Sequence, residues 1–563
     1  MPTISVEQSL ISNLLAKHNL VNNVEVLSNE LPLLGTDIDN CTNEILDIEI
    51  FPNRPDLLSG ETLCKAIRTF IHGQDAEPSM NVKPGTISVT VDKELENIRP
   101  VVLAGIVRGV ELEGDIEIDA FIKSLMDHQE KLHFALGRGR RRASIGVHDL
   151  STLKPPFRVK AVSGDTKFVP LAMTEEMSIV QILEEHPKGI DYAHLLEGFE
   201  KFPVIVDSDD AVLSFPPIIN GNHTTVNNQT RDFFIDVTGW DIRSCEASLM
   251  LIASQLEERG GQIESVEITS FDGKMSQYPN GTAIQHEVPT ELLDGLLGRS
   301  LTDDEITKAI NRMGGKYISR NANNSITIEM PRWRFDILHP VDLIEDIAIG
   351  HGYEDLGTDV PKSPMTAIPR ADGHLRRRIR DSMQGLGFMQ IQSLTLSNDD
   401  DQFNFVRFTP VGEVTRITNP ITIDHTLLRQ YLTPGLMRLL AKNQHHNLPQ
   451  SVYELGTVVR DHKNSDRVAF LVAERSGGFA AVRGRVQAFM RDIGASNYVI
   501  EKLPDDEGPW LSGRAAKIVI DGIHVGCFGE MDPSISERFD LRVPISGAEF
   551  SLTNLADTIT DPV

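Results

Sequence analysis

The sequence predicts a multidomain α+β chain, and three observations carry that expectation. Its 563 residues imply several cores, at about 100–200 residues per domain. Short strand-like runs and helical periods are intermixed along the chain, the order of an α+β protein. Pro/Gly-marked breaks near residues 75–90, 272–283 and 357–373 (Gly357, Pro361, Pro364, Pro369, Gly373) suggest where one segment ends and the next begins.

Taken in order, the first segment opens with an expected amphipathic helix. Ser5 is its candidate cap with Gln8 three residues on, and Leu10, Ile11 and Leu14 recur at helical spacing. EILDIEIF (44–51) alternates apolar and acidic residues as a strand does, NRPDLLS (53–59) reads as a turn, and a helix runs from Gly60 to about His72. Residues 100–270 mix strands (VVLAGIVRGV, FPVIVD, DFFIDVTG, SVEIT) with helices such as 243–258. Residues 299–353 carry the clearest signals: a Thr302/Glu305 capping box, an apolar face of Ile306, Ile310 and Met313, and a Gly314-Gly315 stop. A hairpin of KYISR and SITIEM about NANN follows, so the unit is wing-like, and Pro340 begins the helix VDLIEDIAIG. Beyond residue 374, helices alternate with strands over MQIQSLTLS, SVYELGTVV, RVAFLVAE and AAKIVIDGIHVG, the rhythm of a large mixed sheet.

Composition excludes several classes. Hydrophobic residues at 40% and charged residues at 24% are ordinary globular values. No apolar run reaches the roughly 18 residues of a membrane span, and the N-terminus lacks the pattern of a secretory signal. Cys41, Cys64, Cys245 and Cys527 are far apart, which excludes a disulfide scaffold or zinc ribbon and suits a reducing cytoplasm. The net charge of −27 opposes unaided phosphate binding, so positive charge must be concentrated locally or supplied by a partner.

Three motifs bear on chemistry. Asp336, Asp342, Glu345 and Asp346 lie in WRFDILHPVDLIEDIAIG, the last three sharing a helix face by i, i+3, i+4 spacing. Such hard oxygen donors suit Mg²⁺, and the same acids near a helix N-terminus also complement its macrodipole. The tract GRGRRRASIGVHD (137–149) holds Arg138, Arg140, Arg141 and Arg142, either a phosphate contact or a solvated loop. His148 beside Asp149 lacks the context of a nucleophile. SFPPIINGNHTTV (214–226) and RDFFIDVTGWD (231–241) place small polar groups around a turn, as a ligand pocket or as turn chemistry alone. No Walker A loop, HExxH or strand-to-helix GxGxxG is present.

NRPDLLSGE (53–61), GRGRRRASIGVHDL (137–150), PPIINGN (216–222), DILHPVDLIEDIAIGHGY (336–353), and GRAA with GEMDP (513–516, 529–533) occur in register. Together they make the chain resemble the β subunit of phenylalanyl-tRNA synthetase, of the archaeal and eukaryotic type. The resemblance implies an N-terminal domain (1–85), a tRNA-editing domain (86–272), a winged-helix-like Mg²⁺-binding domain (273–356) and a class II synthetase-like core (357–563). LRQYLTPGLMRLL and YELGTVV look like remnants of class II motif 2, while a glycine-rich motif 3 is absent, so the core is expected to be catalytically inactive.

The resemblance further implies that Asp336, Asp342, Glu345 and Asp346 hold a Mg²⁺ shared with an α subunit, which binds ATP and attaches phenylalanine to tRNA(Phe) in an α2β2 heterotetramer. Editing of misacylated Tyr-tRNA(Phe) would centre on Asn220, with Ser214, Thr224, Thr238, Asp241, Arg141 and His148 as pocket candidates. Trp240 stands where the family often has a smaller residue. The location implied is cytoplasmic, with no membrane contact. The alternative is a stand-alone tRNA- or RNA-binding scaffold without editing activity.

Overall fold

The computed structural model describes residues 2–112, 115–358, 367–368, 370–505 and 507–559, and it divides into two compact units, Met1–Pro361 and Lys362–Val563. Of the break marks expected at 357–373, Pro361, Pro364 and Pro369 lie outside the described residues. Among the described residues no helix is long and apolar enough to cross a membrane.

The first unit begins with a three-stranded antiparallel sheet, Thr3–Glu7, Ile45–Ile50 and Thr36–Cys41, with Ile45–Ile50 in the middle. Its acidic–apolar alternation buries Leu46, Ile48 and Ile50. The expected Ser5 cap does not form. Ile4 and Val6 alternate into the core, so the segment pairs as a strand, Ser5 Oγ donates to Asp47 Oδ1, and the helix starts later, at Gln8–Ala16. NRPD folds into a short 3₁₀ turn, Pro55–Leu57, and Ser59 caps the helix Gly60–Phe70 by accepting from the Thr62 N–H.

The central sheet has eleven strands among the described residues. Its site-bearing end is the antiparallel trio Val101–Arg108, Phe233–Gly239 and Ala143–Asp149, in that order. The helix Ile242–Glu257 packs beneath it, with Leu249, Ile252 and Leu256 buried against Val107 and Ile235. Next, Ile284–Pro289, Ser325–Met330 and Lys316–Arg320 form a small sheet covered by Asp303–Arg312 and Pro340–His351. The Thr302/Glu305 capping box is present in both directions, at 3.3 and 2.8 Å.

Among the described residues the second unit is built on a seven-stranded sheet ordered Met389–Gln390, Gln450–Arg460, Lys463–Ala473, Ile545–Ser551, Ile523–Met531, Trp510–Ile520 and Tyr498–Lys502. Only its first pair is parallel. Asp521 and Gly522 both take positive φ (48° and 81°), as a two-residue hairpin of right-handed twist requires. One face packs on the helices Gly373–Gly385 and Phe479–Asp492, the other on Thr433–Lys442. The strand expected over MQIQSLTLS is reduced to Met389–Gln390 and Leu396–Ser397. Between them Ser393 leaves the ladder, because its hydroxyl is held by buried Glu454 (2.6 Å) and Arg429 (2.7 Å).

Candidate functional site

Register brings the polar residues of two strands onto one face. Phe233–Gly239 pairs with Ala143–Asp149 so that Thr238 faces Ser144, Asp236 faces Gly146 and Phe234 faces His148. Side chains two apart share a face, so Ser144, Gly146 and His148 stand beside Asp236 and Thr238. Over this face the cis bond Pro216–Pro217 and the pair Val212–Phe215/Ile219–Asn220 close a cavity of about 310 Å³. Its wall includes Asn220, Ser214, Thr224, Ser144 and Asp236.

His148 is fully buried beneath that wall, with Nε2 2.7 Å from Asp236 Oδ2 and Nδ1 2.8 Å from Thr224 Oγ1. The Thr224 hydroxyl has one proton. When it donates that proton to Gly221 O (2.9 Å), His148 Nδ1 is the donor to Thr224, and Nε2 donates to the Asp236 carboxylate as well when both ring nitrogens carry a proton. The imidazole therefore fixes both a carboxylate and a hydroxyl on the cavity wall. Gly146 makes this possible: a Cβ there would lie 2.0 Å from Asp236 Oδ2.

A second network anchors Thr238. Buried Arg99 donates to Thr238 Oγ1 (2.7 Å), Thr238 O (2.7 Å) and Ser144 Oγ (3.0 Å), and burial pushes its pKa down to about 10. Asn220 lines the cavity with Oδ1 accepting from Ser214 Oγ at 3.3 Å.

The remaining expected residues are not on the wall. Thr238 supports it from below, and Asp241 caps the helix Ile242–Glu257 by accepting from the Ser244 N–H at 3.1 Å. Arg141 is exposed, as are Arg138 and Arg142. In this tract it is Arg140 that turns inward. It donates to Pro217 O (3.1 Å), Ile218 O (2.9 Å) and Glu130 Oε1 (2.6 Å) and stacks on Tyr192, so it braces the cis-proline turn. Trp240 is exposed and does not line the cavity. Sequence reasoning missed Asp236 and Gly146, for which the cue was the i, i+2 spacing of Asp236 and Thr238 within DFFIDVTG, and it read Arg140 as a phosphate contact or a solvated loop residue rather than as a brace.

The carboxylates at 336–346 are placed by a buried arginine. Arg334 forks onto Asp336, with Nε 2.9 Å from Oδ1 and Nη2 2.6 Å from Oδ2, and its Nη2 also reaches Asp346 Oδ1 at 2.9 Å. Arg54 makes the same fork with Asp56 two residues on (2.9 and 2.8 Å), so NRPD and WRFD repeat one device. Burial works against ionised Asp336, but the charge and hydrogen bonds of Arg334 outweigh it and hold its pKa below the usual carboxylate range. For Asp346 burial prevails over Arg334 and pushes the pKa up.

Asp342 accepts from the Leu338 and His339 N–H groups, both at 2.7 Å, as an N-terminal cap, and Glu345 is exposed. The donor chemistry suits a hard cation, and Asp346 Oδ2, buried without a hydrogen bond, lies 2.9 Å from Arg334 Nη2, whose charge already faces it. The convergence expected from helical spacing is nevertheless not formed by this chain on its own, because Arg334 and the helix terminus already engage three of the four carboxylates. Among the described residues no cluster of three or more His, Cys, Asp or Glu is poised around a metal position.

Three sequence-family models match in succession: the B3/4 domain over residues 115–270, the tRNA synthetase B5 domain over 286–353, and the phenylalanyl tRNA synthetase beta chain CLM domain over 356–552. The chain is 39% identical over 533 residues to the phenylalanine–tRNA ligase beta subunit of Methanothrix thermoacetophila, covering 94% of this chain and 96% of that one. It is 38% identical over 536 residues to the Archaeoglobus fulgidus protein of the same name, covering 95% and 96%. A crystal structure of an N-terminal fragment of the phenylalanyl-tRNA synthetase beta subunit from Pyrococcus horikoshii superposes with a TM-score of 0.57 at 32% identity. It covers 62% of this chain and all of the fragment.

Proposed function

The chain belongs to the archaeal-type phenylalanyl-tRNA synthetase β-subunit family, and from that premise we propose that it supports phenylalanine attachment by an α chain and itself hydrolyses misacylated Tyr-tRNA(Phe). Its general role, as part of an aminoacyl-tRNA ligase, follows from the family. The hydrolytic role is supported by one observation: the polar cavity in which Asn220, Ser214, Thr224 and Asp236 converge over the His148 contact.

Discrimination explains why such a site is useful. An apolar pocket rejects an added hydroxyl only about a hundredfold, whereas a site that hydrogen-bonds the hydroxyl selects for it strongly. A polar second site therefore sorts tyrosine from phenylalanine after attachment. In the proposed reaction the cavity holds the tyrosyl ester, Asn220 and Ser214 offer hydrogen bonds to it, and Asp236, positioned by His148, takes the proton of an attacking water. The tetrahedral oxyanion is met by donors on the wall, and as it collapses the ester oxygen leaves with the tRNA 3′ end, taking the proton that Asp236 accepted. Exposed Arg138, Arg141 and Arg142 at the tract beside it suit the phosphates of that end.

We assign Mg²⁺ to the assembled complex, where Asp336, Asp342, Glu345 and Asp346 would hold it jointly with the α chain. When bound it would neutralise acids that Arg334 neutralises in part here, and ATP belongs to the α chain. The division at 1–85, 86–272, 273–356 and 357–563, the α2β2 assembly and a cytoplasmic location are part of the same proposal.

The test is co-expression with the α chain followed by assay of both reactions. The complex is expected to attach phenylalanine and to hydrolyse Tyr-tRNA(Phe), and Asn220→Ala to slow only the hydrolysis, by roughly tenfold for one lost hydrogen bond. Unchanged hydrolysis in Asn220→Ala would remove Asn220 from the site. A chain that binds tRNA without any α partner and hydrolyses nothing would favour the scaffold alternative.

A further inference from the structure

A cavity of about 820 Å³ lies in the second unit, far along the chain from the residues discussed above. It opens over one face of the seven-stranded sheet. Arg467 is in register with Ser551 on the neighbouring strand, and Glu549 with Cys527 on the next, and these side chains face it. The alternate residues Val468, Phe470, Phe528 and Phe550 turn to the opposite, helix-covered core.

The charges on this wall are unequally satisfied. Arg467 is paired with buried Glu549, and Arg407 with Asp532. Arg460 has no carboxylate within ion-pair distance among the described residues. Its Nε donates to Gln430 O at 3.1 Å, while Nη2 is buried with no hydrogen-bond partner. A guanidinium always carries its charge, and one that lines a cavity without a paired carboxylate leaves that charge for an anion to answer. Arg460 also lies over the Tyr431 ring (4.6 Å), which stacks on Phe408 (4.0 Å, 15°), so its plane is held by an aromatic column.

We propose that this cavity binds a small organic anion of the nucleoside-phosphate class, with the anionic oxygens on the Arg460 guanidinium where it lines the cavity. Inorganic phosphate alone would leave most of 820 Å³ empty, and the volume is within the range of about 300–1,000 Å³ for small-molecule sites. The rest of the wall suits a flat ring with hydroxyls: Phe408 and Trp510 are apolar, and Ser465, Ser551 and Thr553 offer hydrogen bonds. Here the occupied cavity belongs to this chain, separately from ATP in the α chain, and the proposal does not rest on the hydrolytic role.

Equilibrium dialysis of the full β chain without its α partner tests this, with AMP, ATP, L-phenylalanine and inorganic phosphate as separate probes. AMP or ATP is expected to bind saturably in the micromolar to millimolar range, with phenylalanine and phosphate weaker. Arg460→Gln is expected to weaken nucleotide binding by about tenfold or more, as loss of a charge-assisted contact does, with Arg460→Lys intermediate. Thr553→Trp, an exposed position on the rim, is expected to block binding even if Arg460→Gln folds poorly. No saturable nucleotide binding at millimolar concentration, binding indifferent to both substitutions, or phosphate binding as tightly as AMP would each overturn the proposal.

Discussion

Asp236→Asn is expected to lower Tyr-tRNA(Phe) hydrolysis by the assembled enzyme about 10²–10⁴-fold, the usual contribution of a positioned proton acceptor, while phenylalanine attachment is unchanged. Asparagine keeps the shape of the side chain and its contact with His148 Nε2 at 2.7 Å, so the substitution removes the basic oxygen and little else. Gly146→Val is the independent arm. A Cβ at that position would sit 2.0 Å from Asp236 Oδ2, so any side chain pushes the carboxylate off the wall and hydrolysis falls with it. Attachment and hydrolysis measured on one preparation separate the effects. Full hydrolytic activity in Asp236→Asn would mean that Asp236 is not the acceptor, whatever Asn220 does.

The second large effect is on stability. Arg334 is 6% exposed and forks onto Asp336 while reaching Asp346. Arg334→Met leaves two carboxylates facing each other in a site that is nearly dry. Breaking a buried ion pair from one side costs about 3–5 kcal/mol. The unit that contains it is expected to unfold at correspondingly lower urea concentration, followed through Trp333, which is buried beside Arg334. Adding Asp336→Asn and Asp346→Asn removes the uncompensated charge and is expected to restore much of that loss. If Arg334→Met alone matched the unmodified protein to within about 1 kcal/mol, well below the cost of breaking a buried pair, the cluster would not be an electrostatic lock.

Local features were legible before folding. The Thr302/Glu305 box, the hairpin about NANN and the helix from Pro340 depend on residues within a turn or two of each other, and each is found where it was expected. Ser5 illustrates the failure of that logic, since capping chemistry and strand alternation were both available and pairing with Ile45–Ile50 prevailed. Ser393 fails in the same way, held off the ladder by two side chains distant in sequence. At the candidate site, Asn220, Ser214 and Thr224 were identified as polar groups on one turn and do line one cavity. Asp241, expected in the same pocket, instead caps a helix.

What the residues determined alone was the family, through motifs that occur in register along the chain, and the local elements that hydrogen bonds over a few positions can specify. What only the tertiary structure decided was which polar groups meet. Asp236 reaches His148 across 88 positions because antiparallel register sets it opposite Gly146, the one residue small enough to admit the carboxylate. Likewise the helical spacing of 342, 345 and 346 promised convergence, but Arg334 engages Asp346, the helix terminus engages Asp342, and Glu345 is exposed. A buried charge seeks the nearest opposite charge or N–H group, and which one is nearest is known only once distant strands and helices have packed.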